Sequence, residues 1–254
     1  MYRVLIYAIL ALALCLSSCT KRNMTGVSDN DTKVYNLYDY YEDAYGNKGI
    51  VGYIHDEEDE DGDLLRFTIV LSLDETVTTW GPMGTTVFDV NSNKFNEGYT
   101  RGCYFGLDMN QRVRNIGAER FPAFDWCFRK NGSETAIHSS SWILPTYAEL
   151  GWIFSYGAGQ NLEKFNKHIA QYGGTCIDTE ISLENCYWSC VEDLDGVLVF
   201  ESEETQNESD YDPSRRAIPM TINSRFYIDK LLWHKNKEYH VRAIKYIYFA
   251  SSPD

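Results

Sequence analysis

Five cysteines beyond residue 100 are the side chains best suited to covalent chemistry in this chain. They are Cys103, Cys127, Cys176, Cys186 and Cys190. An odd number leaves at least one thiol outside any intramolecular disulfide, and a thiolate is both a nucleophile and a metal ligand. No C-x-x-C pair occurs, which argues against a thioredoxin-like dithiol or a zinc ribbon. Buried thiols and a single disulfide are both compatible with the pattern.

The spacing of these cysteines limits how they can pair. Cys186 and Cys190 are four residues apart, which is about 13 Å along a strand at ~3.3 Å per residue. A disulfide needs Cα atoms within about 7 Å, so this pair requires a bend. Pairing of Cys176 with Cys186 across a loop is more plausible. If a thiol is catalytic, Cys186 and Cys190 are the candidates.

A second group of residues could bind a ligand without covalent chemistry. An irregular region over 201–224 begins with six acids in the twelve residues Glu201 to Asp212. Its tyrosine and arginines offer stacking and bidentate hydrogen bonds, and a tryptophan and three acids precede it. We predict a binding face here, although a core tryptophan, a charged hairpin and a solvated loop are the simpler interpretations. The candidate ligand-binding residues are Trp188, Glu192, Asp193, Asp195, Tyr211, Arg215 and Arg216.

Cofactor and metal motifs are not found in the sequence. Asp56 to Asp63 contains seven acids and Gly62, but an EF-hand register places Thr68 where a bidentate Glu is needed. We therefore predict a solvated hairpin tip. The five histidines have no zinc-ligand spacing, and no P-loop or dinucleotide fingerprint is present. We expect no cofactor and no metal.

The amino terminus has the pattern of a secretion signal. Val4 to Leu16 is an apolar run of 13 residues after Arg3, too short for a membrane-spanning helix but suited to a signal-peptide core. Leu16-Ser17-Ser18-Cys19 then resembles the bacterial lipobox. That resemblance implies a signal peptide over 1–18, lipid attachment at Cys19 and a membrane contact through the lipid anchor. Residues 19–48, rich in polar residues and Gly, are predicted to be a tether, and the five tyrosines of its second half are either the first structured residues or an adhesive surface segment.

The rest of the chain has the composition of a globular domain. It is 44% hydrophobic and 24% charged, and the net charge of −14 argues against nucleic-acid binding. Strand patterns and helix patterns occur in separate blocks, which is typical of an α+β fold. Thr146 and Glu149 have capping-box spacing, and Gly173-Gly174 is a helix stop. We predict strands over 50–54, 65–73, 187–189, 196–200, 225–228 and 240–249, and helices over 122–130, 146–154 and from Asn161 to Gly173.

Four short blocks resemble the C-type-lectin-like domains of bacterial surface proteins. They are Trp126-Cys127, Trp142 to Leu150, Tyr187-Trp188-Ser189 and Val241 to Ile244. In order and spacing they are similar to the Fibrobacter major paralogous domain and the Legionella collagen-like adhesin C-terminal domain. Cys190 departs from the usual Ser or Thr, and the E-P-N and Q-P-D calcium-sugar motifs are absent.

The resemblance implies one α+β domain over 49–254 and a particular role for it. Its expected fold has a mixed antiparallel sheet, two or three short helices, long loops and paired first and last strands. It implies a binding module on the bacterial envelope, anchored to the outer membrane, whose partner is an extracellular glycan or protein or an envelope assembly. The alternative is an enzyme that uses a reactive thiol on the similar scaffold of the sulfatase-maturation enzymes.

Overall fold

The architecture comes from a computed structural model that describes residues 33–58, 64–87, 94–138, 140–178, 185–192, 216–222, 228–230 and 233–250. The predicted signal peptide, Cys19 and the first part of the predicted tether lie outside these ranges. Within the described ranges, no helix combines the length and apolar character that crossing a bilayer requires. The fold is α+β, with antiparallel pairing dominating two sheets and helices between them.

The first sheet has four strands in the order β1-β2-β3-β10. These are β1 (Tyr40–Glu42), β2 (Lys48–Glu58), β3 (Leu64–Ser72) and β10 (Ile244–Ala250). Every neighbouring pair is antiparallel. β2 and β3 confirm the predicted strands and extend towards the acidic tip. β1 lies inside the segment predicted to be a tether, so the folded part of the chain begins before residue 49.

The second sheet is built around a completely buried strand. Its order is β4-β9-β5-β6-β7, with β8 also paired to β6. All seven residues of β5 are buried, which explains why this strand is nearly continuously apolar rather than alternating. The strands are β4 (Thr76–Thr79), β5 (Cys186–Glu192), β6 (Arg216–Ile222), β7 (Ile228–Lys230), β8 (Trp233–His234) and β9 (Glu238–Val241).

The prediction of one strand over 240–249 is wrong, because the chain changes sheets there. β9 ends at Val241 and pairs with β4, while β10 starts at Ile244 and pairs with β3. The break falls at Arg242, whose guanidinium is fully buried and donates to the carbonyl of Ser72 at 3.1 Å. The expected pairing of first and last strands is also wrong among the described strands, since β10 pairs with β3 and β1 with β2.

The helices begin and end largely where the sequence predicted them. α2 (Pro122–Arg129) starts with a proline at its first turn. α3 (Tyr147–Gly151) has the predicted capping box, in which Thr146 accepts from the Glu149 amide and Glu149 accepts from the Thr146 amide. A π-helical turn over Trp152–Tyr156 and a 3₁₀ turn over Ala158–Asn161 lead to α4 (Leu162–Gln171), which Asn161 caps.

Sequence analysis missed the longest helix, α1 (Lys94–Gly117). Its 24 residues include four glycines, which lower helix propensity by about 1 kcal/mol each relative to Ala. Met109 and Val113 are completely buried, and the Asn110 amide bonds both the N–H and the C=O of Leu144 at 2.9 Å. Tertiary packing therefore overrides the poor local propensity of this segment.

Candidate functional site

Trp188 and Glu192, two residues of the predicted binding face, are buried in the interior. Trp188 has no exposed surface, its indole N–H donates to the carbonyl of Thr78 at 3.1 Å, and its ring packs edge-on against Tyr239 at 4.9 Å. A ring enclosed on all sides cannot stack on a ligand. Trp188 is therefore a core residue, the simpler of the two interpretations of the sequence.

Glu192 is a buried ion-pair partner rather than a surface acid. Its side chain and that of Lys235 are both 0% exposed, and the two charged groups are in contact. The carboxylate also accepts from the Val87 amide at 2.9 Å. Lys235 donates to the carbonyl of Thr85 at 2.7 Å and lies 4.5 Å from the centre of the Trp80 ring. This pair fastens the segment around residues 85–87 to the second sheet.

The remaining predicted ligand residues are not brought together by the described structure. Arg216 opens β6 opposite His234 of β8. Asp193, Asp195, Tyr211 and Arg215 lie outside the described residues, as does the acidic stretch over 201–212.

The described cysteines at 127, 176, 186 and 190 are free thiols. Of the two arrangements that the sequence left open, these residues therefore have free thiols rather than a Cys176–Cys186 disulfide. Burial raises the pKa of Cys186 to about 12 and raises the pKa of Cys127 and Cys190 as well. Because reactivity follows thiolate character, these three thiols behave as core side chains. Cys176 is exposed.

A surface cleft of about 360 Å³ lies among the described residues. Four separate segments form it: the turn between β1 and β2, the chain after β3, the end of α2 and the turn after α4. Its lining is mainly polar, with one aromatic ring. The lining residues are Gly46, Asn47, Lys48, Leu73, Asp74, Lys130, Tyr172, Gly173, Gly174 and Thr175.

An ion pair crosses this cleft. The Lys130 ammonium donates to both carboxylate oxygens of Asp74, at 2.7 and 2.6 Å, and lies 4.3 Å from the centre of the Trp126 ring. The Lys130 side chain is only 9% exposed, whereas that of Asp74 is 60% exposed. The lysine is thus fixed from behind while the carboxylate remains accessible from the cleft.

Backbone hydrogen bonds hold the cleft walls together. The Thr175 amide donates to the carbonyl of Leu73 at 2.9 Å, and the Leu73 amide donates to that of Lys48 at 3.0 Å. The side chain of Asn47 donates to the carbonyl of Lys130 at 2.7 Å and to the Asp43 carboxylate at 2.9 Å. These hydrogen bonds therefore connect all four segments of the cleft.

The turn after α4 has a conformation that requires glycine. Gly173 has φ of +76°, and its amide bonds the carbonyl of Ala170 while that of Gly174 bonds the carbonyl of Ile169. These two bonds form a Schellman motif, which satisfies the last carbonyls of the helix. A Cβ on Gly174 would lie 2.8 Å from the Leu73 carbonyl oxygen. The tight turn brings Tyr172 and Thr175 to the cleft.

A buried polar cluster supports the cleft from inside. Arg242 donates to Glu75 at 2.7 Å and also to the carbonyl of Thr175. His240 and Tyr187 each contact the Glu75 carboxylate at 3.0 Å. Burial alone would raise the pKa of Glu75, but the His240 hydrogen bond and the Arg242 charge outweigh it and leave the pKa below its ordinary value. The cluster therefore acts as an ionised structural anchor.

Sequence analysis did not identify the cleft residues. Asp74 and Lys130 are 56 residues apart, and neither belongs to a recognisable motif. Two features of the sequence could have pointed to the cleft. They are the Gly173-Gly174 helix stop and the block over 241–244, which contains Arg242. Among the described residues, no group of His, Cys, Asp and Glu could hold a metal ion.

Comparisons with known proteins found no match among protein-family models, curated proteins or solved structures.

Proposed function

We propose that this chain is a lipid-anchored lipoprotein of the bacterial cell envelope whose C-type-lectin-like domain is a surface binding module. The observation that carries the proposal is the cleft around Asp74, Lys130 and Tyr172, whose walls are joined by hydrogen bonds. Loop and turn segments on a rigid frame are where binding residues concentrate. The lipobox ending in Cys19 supports attachment to the outer membrane.

The positions of the resembling blocks support the lectin-like assignment. Ile143 forms an isolated β-bridge with Ile244, so the second and fourth blocks touch. The Cys190 amide donates to the carbonyl of Pro145 at 2.7 Å, which connects the second block to the strand that contains the third. Blocks that are distant in sequence thus pack as one unit, as expected if they define a common core.

The alternative, an enzyme with a reactive thiol, receives less support. The two candidates, Cys186 and Cys190, are buried with raised pKa values. A thiolate at either position would have to form in an apolar interior, which is unfavourable. The binding module is therefore the better account of the described residues.

An array experiment tests the proposed function. The mature chain is applied to arrays of glycans and of envelope proteins, as wild type, as Asp74→Asn/Tyr172→Ser, and as the control Asp108→Asn/Tyr156→Ser. The control residues are also exposed but do not line the cleft. We expect the cleft variant to lose the strongest signals and the control to keep them, at unchanged melting temperatures. Signals that survive in the cleft variant would contradict the proposal.

A further inference from the structure

The ligand class follows from the hydrogen-bonding capacity that remains in the cleft. A carboxylate has about four lone-pair sites on its two oxygens. Lys130 donates one hydrogen bond to each oxygen of Asp74. Because the Asp74 side chain is 60% exposed, the other acceptor sites face solvent. Thr175, also exposed, adds a hydroxyl that both donates and accepts. The cleft therefore suits a ligand with several hydroxyl groups.

Opposite charges lie near one another around the cleft. Asp74 pairs with Lys130, and Lys48 lies opposite Glu42 in the β1–β2 register. The whole chain carries a net charge of −14, which disfavours the approach of an anion. A cation would compete with a lysine that is already fixed at 2.6 Å from Asp74. A neutral polar ligand therefore fits this environment better than a charged one.

An aromatic ring supplies the apolar part of the surface. Tyr172 lines the cleft and is half-buried, and the rings of Tyr40 and His168 support it at centroid distances of 5.1 and 6.3 Å. A ring held in place by neighbours loses little conformational entropy when a ligand packs on it. Its apolar body and polar hydroxyl match a ligand that has both C–H and O–H surfaces.

We infer that this cleft binds a neutral saccharide, whose ring presents C–H groups to an aromatic side chain and hydroxyl groups to a carboxylate. The inference rests on the proposed function, because it takes the cleft as the binding site. The volume of 360 Å³ lies near the lower end of the roughly 300–1,000 Å³ of small-molecule sites. It suits one or two sugar rings, such as a chain end.

Titration with small neutral sugars tests the inference. The probes are the methyl glycosides of glucose, galactose, mannose and N-acetylglucosamine, added to the mature chain and followed by calorimetry. We expect saturable binding of at least one, weakened roughly tenfold or more by Asp74→Asn and by Tyr172→Ser, since each removes a major ligand contact. The controls Asp108→Asn and Tyr156→Ser should stay within about twofold, because exposed side chains outside the site contribute little.

Three results would overturn the inference. Absence of saturable binding to all four glycosides is one, and binding that is lost in EDTA is another, because the Asp74–Lys130 arrangement needs no metal. Binding that the cleft variants leave unchanged, at wild-type melting temperature, is the third. The array experiment separates this failure from failure of the proposed function. If a protein or a charged glycan on the array depends on Asp74 and Tyr172, the cleft is a binding site but its ligand is not a neutral saccharide.

Discussion

Buried charged residues connect distant parts of this chain. Glu192 and Lys235 are 43 residues apart and meet without solvent exposure. Arg242 has the same role towards Glu75. Sequence patterns can place these residues at strand ends. They cannot show which residues form ion pairs, because a pair between remote positions leaves no periodic pattern in the sequence.

Removing the lysine of the Glu192–Lys235 pair should be strongly destabilising. Lys235→Met leaves a carboxylate buried without its counter-charge, which costs about 3–5 kcal/mol of unfolding free energy. Urea denaturation measures the change. The double variant Glu192→Leu/Lys235→Met should recover much of the loss, because two apolar side chains replace two charges. The control Lys167→Met changes an exposed lysine and should be nearly neutral. A loss below about 1 kcal/mol for Lys235→Met would contradict the buried pair.

Glu149 should make stability depend on pH in the opposite sense to an ordinary acid. Burial raises its pKa from 4.5 to about 7, despite hydrogen bonds from Tyr246 and Thr146. A raised pKa gives a stabilising contribution that is complete below pH 4.5 and is lost as the pH rises to about 7. The loss is on the order of 3 kcal/mol.

Substitution by glutamine tests this pH dependence. Glu149→Gln keeps a capping oxygen for the Thr146 amide but does not titrate. Its unfolding free energy relative to wild type should therefore improve between pH 4.5 and 7. Glu163→Gln, at an exposed position on α4, is the matched control. A constant difference between Glu149→Gln and wild type across this range would show that Glu149 keeps its ordinary pKa.

For the helices and strands, the sequence predicted features set by neighbouring residues better than features set by long-range contacts. The capping box of α3 and the Gly173-Gly174 stop follow from chemistry within a few residues, and the structure has both. α1 was missed because its glycines oppose helix formation locally. The switch of sheets at Arg242 was missed because the alternating pattern continues across it.

The candidate site was less predictable than the elements that form it. Sequence analysis favoured the loop over 201–224, because it combines length, tyrosine and arginine. The cleft instead uses single residues from four segments, including Asn47 and Asp74. Backbone bonds from Thr175 to Leu73 and from Leu73 to Lys48 bring three of these segments together, and the Asn47 side chain adds the end of α2 through the Lys130 carbonyl. Such pairing depends on the tertiary fold and has no local pattern.

The Thr146 cap should stabilise α3 measurably. Thr146→Ala removes the hydroxyl that accepts from the Glu149 amide at 3.1 Å, which should cost about 1 kcal/mol. Thr146→Ser keeps the hydroxyl and should retain most of that stability. Thermal and urea unfolding of the two variants give the comparison. Equal losses for Ala and Ser would show that packing of the Thr146 methyl, rather than the cap, is the stabilising interaction.

The proposed protein combines a lipid anchor at Cys19, an acidic domain and a surface cleft. A lipid on Cys19 would keep the domain at the membrane, because stable anchoring takes two or more acyl chains. Mass spectrometry of protein extracted from the membrane fraction should find an acylated Cys19 as the first residue. The variant Cys19→Ala should be found in the soluble fraction. A mature chain that retains Met1, or an unmodified Cys19 in membrane-bound protein, would contradict the anchor.

Chemical-shift mapping with the strongest array ligand tests whether that ligand binds in the cleft. Backbone amide resonances of the isotope-labelled mature chain are recorded while that ligand is added. The account predicts that the largest shifts fall on the four segments of the cleft, at Asn47, Asp74, Lys130, Tyr172 and Thr175. Shifts confined to other parts of the chain, with these amides unchanged at saturation, would contradict it.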